Sequence, residues 1–417
     1  MAAKSKRRIT LSSLYIGTSP LEKELVNILE HTQQANPNLE TTILLDYNRS
    51  TRVNHGPQPR SSTEILQPLV SKRCNVNFFL SPMFNTLFKK TFIQPRQKWN
   101  EIISLQHMKC FLFDNTIIIS GANLSDQYFV NRNDRYICIY DCQPLCDYFD
   151  DLVKTVSKFS LQLSQDGTFT LNNDWKYHPL EAPKHKFCDA AQREITAFQT
   201  RHRLNTIDEV SDKSTFVFPL LQMKMFNITD DEKFTSALFA NDVNVKDLRI
   251  SSGYFNFTDG YTDLLSKRSN DSECHVLMAS EKVSSFYGGK GLIGYIPSVY
   301  TEVGRQFLRK LINEDSNINL WSFYRSDWTF HAKGLWLRFA DNYMLTTIGS
   351  PNFGYRSVNR DLEAQLVIVT KDDELQARLV DEHESLWKFA TPVKADTDLP
   401  SVPKWVQFIA PLIKSYF

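Results

Sequence analysis

The chain has 417 residues, enough for two domains that each bury a core. Apolar residues make up 42% and charged residues 23%, a composition that excludes a disordered chain. The 48 Lys and Arg against 47 Asp and Glu give no support to nucleic-acid binding through overall charge, although a local basic patch stays open.

The opening stretch holds Lys4, Lys6, Arg7 and Arg8 and no acid up to Pro20. It reads either as part of an organelle-targeting segment or as a plain basic tail. An apolar strand is predicted at TTILL (41–45), and the loop after it, TRVNHGPQPRSS (51–62), offers Arg52 and Arg60 as candidate anion-binding residues. Residues 77–99 interleave Phe84, Leu87, Phe88 and Phe92 with Lys89, Lys90, Arg96 and Lys98, which suits an anionic bilayer surface or a buried stripe.

The most informative stretch is HMKCFLFDNTIIISGANLS (107–125). His107 and Lys109 open an apolar strand, Asp114-Asn115 makes a hairpin turn, and the return strand ends in a corner, Ser120-Gly121-Ala122-Asn123. Eleven residues beyond Asn123 stands Asp134, followed by a strand at 136–140 and an amphipathic helix at 146–159. Cys138, Cys142 and Cys146 lie here without paired CxxC spacing. Free thiols in a reducing compartment, and no zinc site, are expected from the seven scattered cysteines.

After YHPLEAPKHKF (177–187) the sentence is written again. A strand is expected at HVLMAS (275–280), and the loop YGGKG (287–291) presents Lys290 where the first half presents its arginine loop. It lacks the spacing of a P-loop, so no ATP site is expected. His331 and Lys333 then begin a strand, Asp341-Asn342 turns it, and Gly349-Ser350-Pro351-Asn352 forms the corner. Glu363 again lies eleven residues beyond the corner asparagine, leading into a strand at 364–369 and a helix at 373–389. The histidines are 224 residues apart, which divides the chain into halves at 10–190 and 191–417, each expected to be an α/β unit with helices flanking a mixed sheet. The carboxy-terminal Trp405, Phe408, Ile409, Leu412 and Ile413 form a second candidate membrane stripe.

Two matched half-sites facing each other bring two imidazoles, two ammonium groups and two amides to one pocket. That set suits a phosphate whose charge moves during substitution. One histidine can attack phosphorus while the other handles a proton. Each needs a neighbour to fix its tautomer, and Asp134 and Glu363 hold that place in the two repeats by position. Lysines and protonated histidine carry the countercharge, so no metal is required.

These residues resemble the phospholipase D superfamily, whose mark is HxKxxxxD followed by a GSxN-type corner. His107, Lys109 and Asp114 match fully; in the second copy Arg338 stands where the Asp is expected, while His331, Lys333, Gly349, Ser350 and Asn352 match. Flanking segments, including SSGYFNFT (251–258) and SDWTFHAKGLW (326–336), resemble the eukaryotic phosphatidylglycerophosphate synthases. The resemblance implies two phospholipase D-like α/β sandwich halves related by pseudo-twofold symmetry around one active site. It also implies transfer of a phosphatidyl group from CDP-diacylglycerol to sn-glycerol 3-phosphate, releasing CMP, on the way to phosphatidylglycerol and cardiolipin. No cofactor or nucleic-acid partner is expected, and the place of action is the mitochondrion, peripherally on an anionic inner-membrane surface. His107 is taken as the nucleophile because its motif is the complete one, and the reverse assignment stays open. The rival readings are a cardiolipin or phosphatidylserine synthase, a nucleic-acid phosphodiesterase, and an inactive binding relative.

Overall fold

The computed structural model describes residues 1–53, 59–85, 103–203, 213–241, 243–268 and 272–416. The strand expected at 41–45 forms as Glu40–Asp46, with every residue after Glu40 buried. Its alternate side chains go to opposite cores. Ile43 and Leu45 meet Val26 and Leu29 of the helix Pro20–Ala35, and Leu44 meets Phe149 and Val153 of the helix Gln143–Lys158. A near-continuous apolar run is what a strand covered on both faces requires. Arg8–Ser12 and Cys74–Phe79 flank it in parallel. On the far side of Arg8–Ser12 runs Cys110–Phe113, antiparallel, then its hairpin partner Thr116–Ser120, then Tyr136–Ile139.

The second half repeats this order. Val245–Ser252, Glu273–Ala279 and Ile318–Phe323 are the parallel centre. Lys333–Phe339, Met344–Gly349 and Glu363–Thr370 follow, antiparallel, on the side of Val245–Ser252. Among the described residues the two large sheets have eight and nine strands, the larger extended by Thr215–Met223 and Ile228–Thr229. Helices Ile296–Asn313 and Asp373–Trp387 cover it through Phe307 and Leu311 and through Leu379 and Leu386. Both Asp-Asn turns form as expected, with φ of 54° at Asp114 and 63° at Asn342, a left-handed conformation that these short polar residues tolerate.

Sheet membership changes between Leu171 and Thr215. The boundary placed near 190 falls inside a helix, Lys184–Arg203. The segment 177–187 runs into this helix instead of separating the halves, because its apolar face has a core to fill. Phe187, Ile195 and Phe198 join Phe149 and Val153 of the first half and Leu221, Phe226, Ile348 and Leu366 of the second in one cluster. Phe159 lies at its centre, with ring centroids 6.3 Å from Phe79 and 5.5 Å from Phe226.

Two surface expectations change. Arg8 is not part of a tail: it lies in a central strand and pairs with Asp147 at 2.6 Å and Asp150 at 3.3 Å. Phe84 is buried with Leu80, Ile103 and Leu161 and cannot belong to a membrane face. Leu87, Phe88, Phe92, Lys89, Lys90, Arg96 and Lys98 lie outside the described residues. The thiols of Cys74, Cys110, Cys146 and Cys274 are buried and unpaired. Truncating Phe159 to Ala should open a cavity between the halves and cost about 3–5 kcal/mol, read from the midpoint shift in urea denaturation.

Candidate active site

The segment carrying each histidine is stitched to the segment that precedes the other half's acid. Leu362 N–H donates to Leu105 O at 2.8 Å and His107 N–H donates to Leu362 O at 2.9 Å, a short parallel bridge. In the same way Thr329–Phe330 runs parallel to Arg132–Asn133, and His331 N–H donates to Asn133 O at 2.8 Å. The carboxylates therefore cross over. His107 Nδ1 faces Glu363 at 3.0 and 2.9 Å, and His331 Nδ1 faces Asp134 at 2.5 Å. Position in the repeat would have given each histidine its own half's acid; backbone pairing between the halves gives it the other's.

Both histidines open on one cavity of about 290 Å³, together with Asn123 and Asn352. The lysines sit behind this wall, each 1% exposed. Lys109 Nζ donates to His107 O at 2.7 Å; Lys333 Nζ donates to Gly121 O at 3.2 Å and lies 3.4 Å from Asp134 and 2.7 Å from His331 Nδ1. A Cβ at Gly121 would stand 2.7 Å from Lys333 Nζ and 2.8 Å from Asp134 Oδ1, so any larger residue there would push this pair aside. Asn123 Nδ2 donates to the Tyr128 hydroxyl at 3.1 Å, and that hydroxyl lies 3.3 Å from His331 Nε2. The side-chain oxygens Oδ1 of Asn123 and Asn352 are buried without a hydrogen-bond partner among the described residues.

Burial pushes both imidazoles below their ordinary value of 6.5, His331 the further; the neighbouring lysine charge adds to this in each, and the facing acids only partly oppose it. Burial alone would raise the two carboxyls, but Lys333 and His331 hold Asp134 below the usual range, and His107 and Lys109 do so for Glu363. Burial likewise depresses both lysines below 10.5, Lys109 the more strongly. These directions favour an ionised carboxylate beside a neutral imidazole, and a proton on Nδ1 directed at the carboxylate leaves Nε2 unprotonated.

Other expected site residues take different places. Asp114 is about 17 Å along the strand from Lys109 at the usual rise per residue. Its carboxylate accepts backbone N–H groups of Lys6, Arg7 and Arg8 at 2.8–3.1 Å, so it fastens the first strand instead of lining the cavity. Arg338, its counterpart in the second half, lies opposite Asp247 on the neighbouring strand. Ser350 is fully buried, bridging Ala364 N at 3.1 Å and Ala364 O at 3.2 Å, as Ser120 bridges Ala122 N and Arg135 O. Of the loop cations, Arg52 lines the cavity, whereas Arg60 and Lys290 are exposed and do not.

Several residues were missed. Arg49, Arg132 and Arg356 join Arg52 on the wall, against one carboxylate, Asp361. Arg132 and Asp361 each stand two residues before an acid of the pair, so the repeat offset could have found them. Tyr128 and Tyr254 set their rings edge-on to His331, each with centroids 5.1 Å away. Arg135 clamps the strand after Asp134 onto the second half, donating to Thr347 O at 2.6 Å and pairing with Glu382 at 2.8 Å. His107, Asp361 and Glu363 offer ligand atoms within 4.8 Å of one another. A cation there would displace the hydrogen bond that orients the imidazole, and Lys109 already supplies positive charge to Glu363.

Two α/β halves, each giving a His-x-Lys, an asparagine corner and an acid to a common cavity, define a phospholipase D-like protein. Residues 243–387 match the family model described as the PLD-like domain of cardiolipin synthase. The crystal structure of phosphatidylserine synthase from Haemophilus influenzae covers 100% of this chain and 91% of its own, with a TM-score of 0.70 at 21% identity, and so shares the fold. The mitochondrial CDP-diacylglycerol–glycerol-3-phosphate 3-phosphatidyltransferase of Homo sapiens is 38% identical over 99% of this chain and 79% of its own length. Its counterpart in Gallus gallus is 39% identical over 99% and 80%. The chain belongs to this family of phosphatidyltransferases.

Asp114→Ala should lower stability by about 1–3 kcal/mol, the scale for orphaned hydrogen-bonding groups. The expected readout is an earlier urea midpoint with the imidazole titrations of His107 and His331, followed by NMR, unmoved.

Proposed function

We propose that the protein transfers the phosphatidyl group of CDP-diacylglycerol to sn-glycerol 3-phosphate, giving phosphatidylglycerophosphate and CMP. The observation that carries this reading is the pair of imidazoles, each anchored through Nδ1 on a carboxylate, that open on one arginine-lined cavity. The names of the relatives supply the substrates, and the arginines suit a diphosphate donor and a phosphorylated acceptor.

In the first step Nε2 of His107 bonds to the phosphorus that bears diacylglycerol, and the bond from that phosphorus to the CMP oxygen breaks, its electron pair leaving with CMP. Glu363, ionised against Nδ1–H, balances the charge that develops on the ring. In the second step the acceptor hydroxyl attacks the phosphatidyl-histidine. His331 Nε2 takes its proton, and the P–N bond breaks to restore His107. The completeness of its motif no longer favours His107, because Asp114 lies elsewhere. A better reason is that Nε2 of His107 makes no hydrogen bond among the described residues, whereas that of His331 meets Tyr128. The corner amides suit the phosphate oxygens.

The product would be the first committed step toward phosphatidylglycerol and cardiolipin. The relatives' names carry the word mitochondrial, and among the described residues no helix is long and apolar enough to cross a membrane. Peripheral attachment to the anionic inner membrane fits both, with no nucleic-acid partner. The test is purified protein with CDP-diacylglycerol and glycerol 3-phosphate, serine or phosphatidylglycerol, following CMP. Release driven by glycerol 3-phosphate is expected; release driven only by another acceptor would overturn the assignment.

His331→Asn should slow turnover about 10²–10⁴-fold and accumulate phosphorylated peptide at His107, read by mass mapping after rapid quench. Label on residue 331 of the His107→Asn protein would reverse the roles. Because both imidazoles titrate below 6.5 and both lysines below 10.5, the rate should fall on the acid side only below pH 6.5 and on the alkaline side before pH 10.5. A pH–rate profile with saturating substrates checks both limbs.

A further inference from the structure

The cavity of about 290 Å³ lies at the lower end of pockets that enclose one drug-sized ligand, roughly 300–1,000 Å³. A head group fits; two acyl chains do not, so they have to leave through the mouth. Part of the cavity lining is a continuous run of aromatic rings. From His331 it runs through Tyr254, whose ring centroid lies 5.8 Å from Phe286 and 5.7 Å from Tyr300. Beyond Phe286 the chain comes straight to the surface, where Tyr287 and Leu292 are 55% and 63% exposed.

The carboxy-terminal helix Lys404–Ile413 stands beside this lip. Its Val406 and Ala410 are buried against Val299, one residue before Tyr300, and the Trp405 ring lies 4.8 Å from Tyr295. Its far end is tied down by Lys414, whose ammonium pairs with Asp259 at 2.6 Å. The helix is thus packed on one face, and its opposite stripe faces outward: Phe408 is 77% and Leu412 69% exposed. The two segments that build the ridge, 282–301 and 399–416, carry Lys282, Lys290, Lys404 and Lys414, and the acids bonded to them are Glu281, on Ser298, and Asp259, on Lys414. Apolar groups at the lip, with more cations than acids around them, complement an anionic lipid surface.

We propose that this ridge is the surface that seats on an anionic phospholipid bilayer. The aromatic wall then faces the head groups, and the acyl chains stay in the bilayer while the diphosphate reaches the histidines. The arginines on the other walls are left for the water-soluble groups. This inference rests on the lipid-transfer reading for the identity of the occupant.

Flotation with phosphatidylcholine vesicles containing phosphatidylglycerol tests it directly and needs no turnover, so failure of the transferase assignment would not disturb the readout. The double variant Phe408→Asp/Leu412→Asp should cut the floated fraction at least tenfold while CMP release from a short-chain, monomeric CDP-diacylglycerol stays within twofold of the parent. The milder Phe408→Ser/Leu412→Ser, checked by circular dichroism, serves if the first fails to fold. Trp405 should also add a blue shift on vesicle addition that the Trp405→Phe protein lacks. Unchanged flotation of the folded double variant would overturn the proposal. So would a parent dimer that the double variant splits in the absence of vesicles, since the ridge would then be a subunit contact.

Discussion

Each histidine depends on a carboxylate that the other half of the chain supplies. Glu363 orients His107, and Asp134 orients His331. Neither imidazole can be held in its reactive tautomer by its own sheet, so the site exists only while the two sheets are docked. The shared core around Phe159, Phe187 and Phe226 therefore serves chemistry as well as stability. Backbone bridges at 105–107 with 362 and at 329–331 with 131–133 enforce the crossing to within a hydrogen bond's tolerance.

The same arrangement explains how so many ionisable groups tolerate burial. His107, Lys109, His331, Lys333 and Glu363 are each at most 7% exposed, and the Asp134 side chain is fully covered. Desolvation disfavours each charge singly, but two lysines opposite two carboxylates form a balanced cluster, and the histidines can stay neutral within it. Removing one member strands its partner, so the cluster is stable only as a set. The lysines stand in this cluster behind the wall and are not among the residues that line the cavity.

Much of the architecture was legible in the sequence because duplication made it so. The hairpin turns, the asparagine corners, the eleven-residue offset to each acid and the following helices all appear twice and are found where expected. What could not be read was anything decided between the halves. Pseudo-twofold symmetry is compatible with each acid serving its own histidine or the other's, and only backbone pairing selects. Asp114 has the motif spacing, but a strand carries it away from the histidine, and a sequence does not display that direction. Arg49 and Arg356 come from short helices with no repeat signal between them, so convergence on the cavity was invisible. Phe84 shows the limit of composition: an aromatic next to basic residues turned out to be core.

The halves have also diverged where it matters. Around His331 stand Tyr128 and Arg132; the positions equivalent by offset near His107 are Ser357 and Asp361. One imidazole thus sits in an aromatic, cationic corner and the other in a small, acidic one. The crossed carboxylates carry an evolutionary corollary. A polypeptide with a single repeat would own a histidine and an acid that never meet, but two such polypeptides about a twofold axis would complete each other twice. Joining two such copies end to end would keep that mutual completion while releasing them from identity, so that a symmetric pair of centres could become unlike.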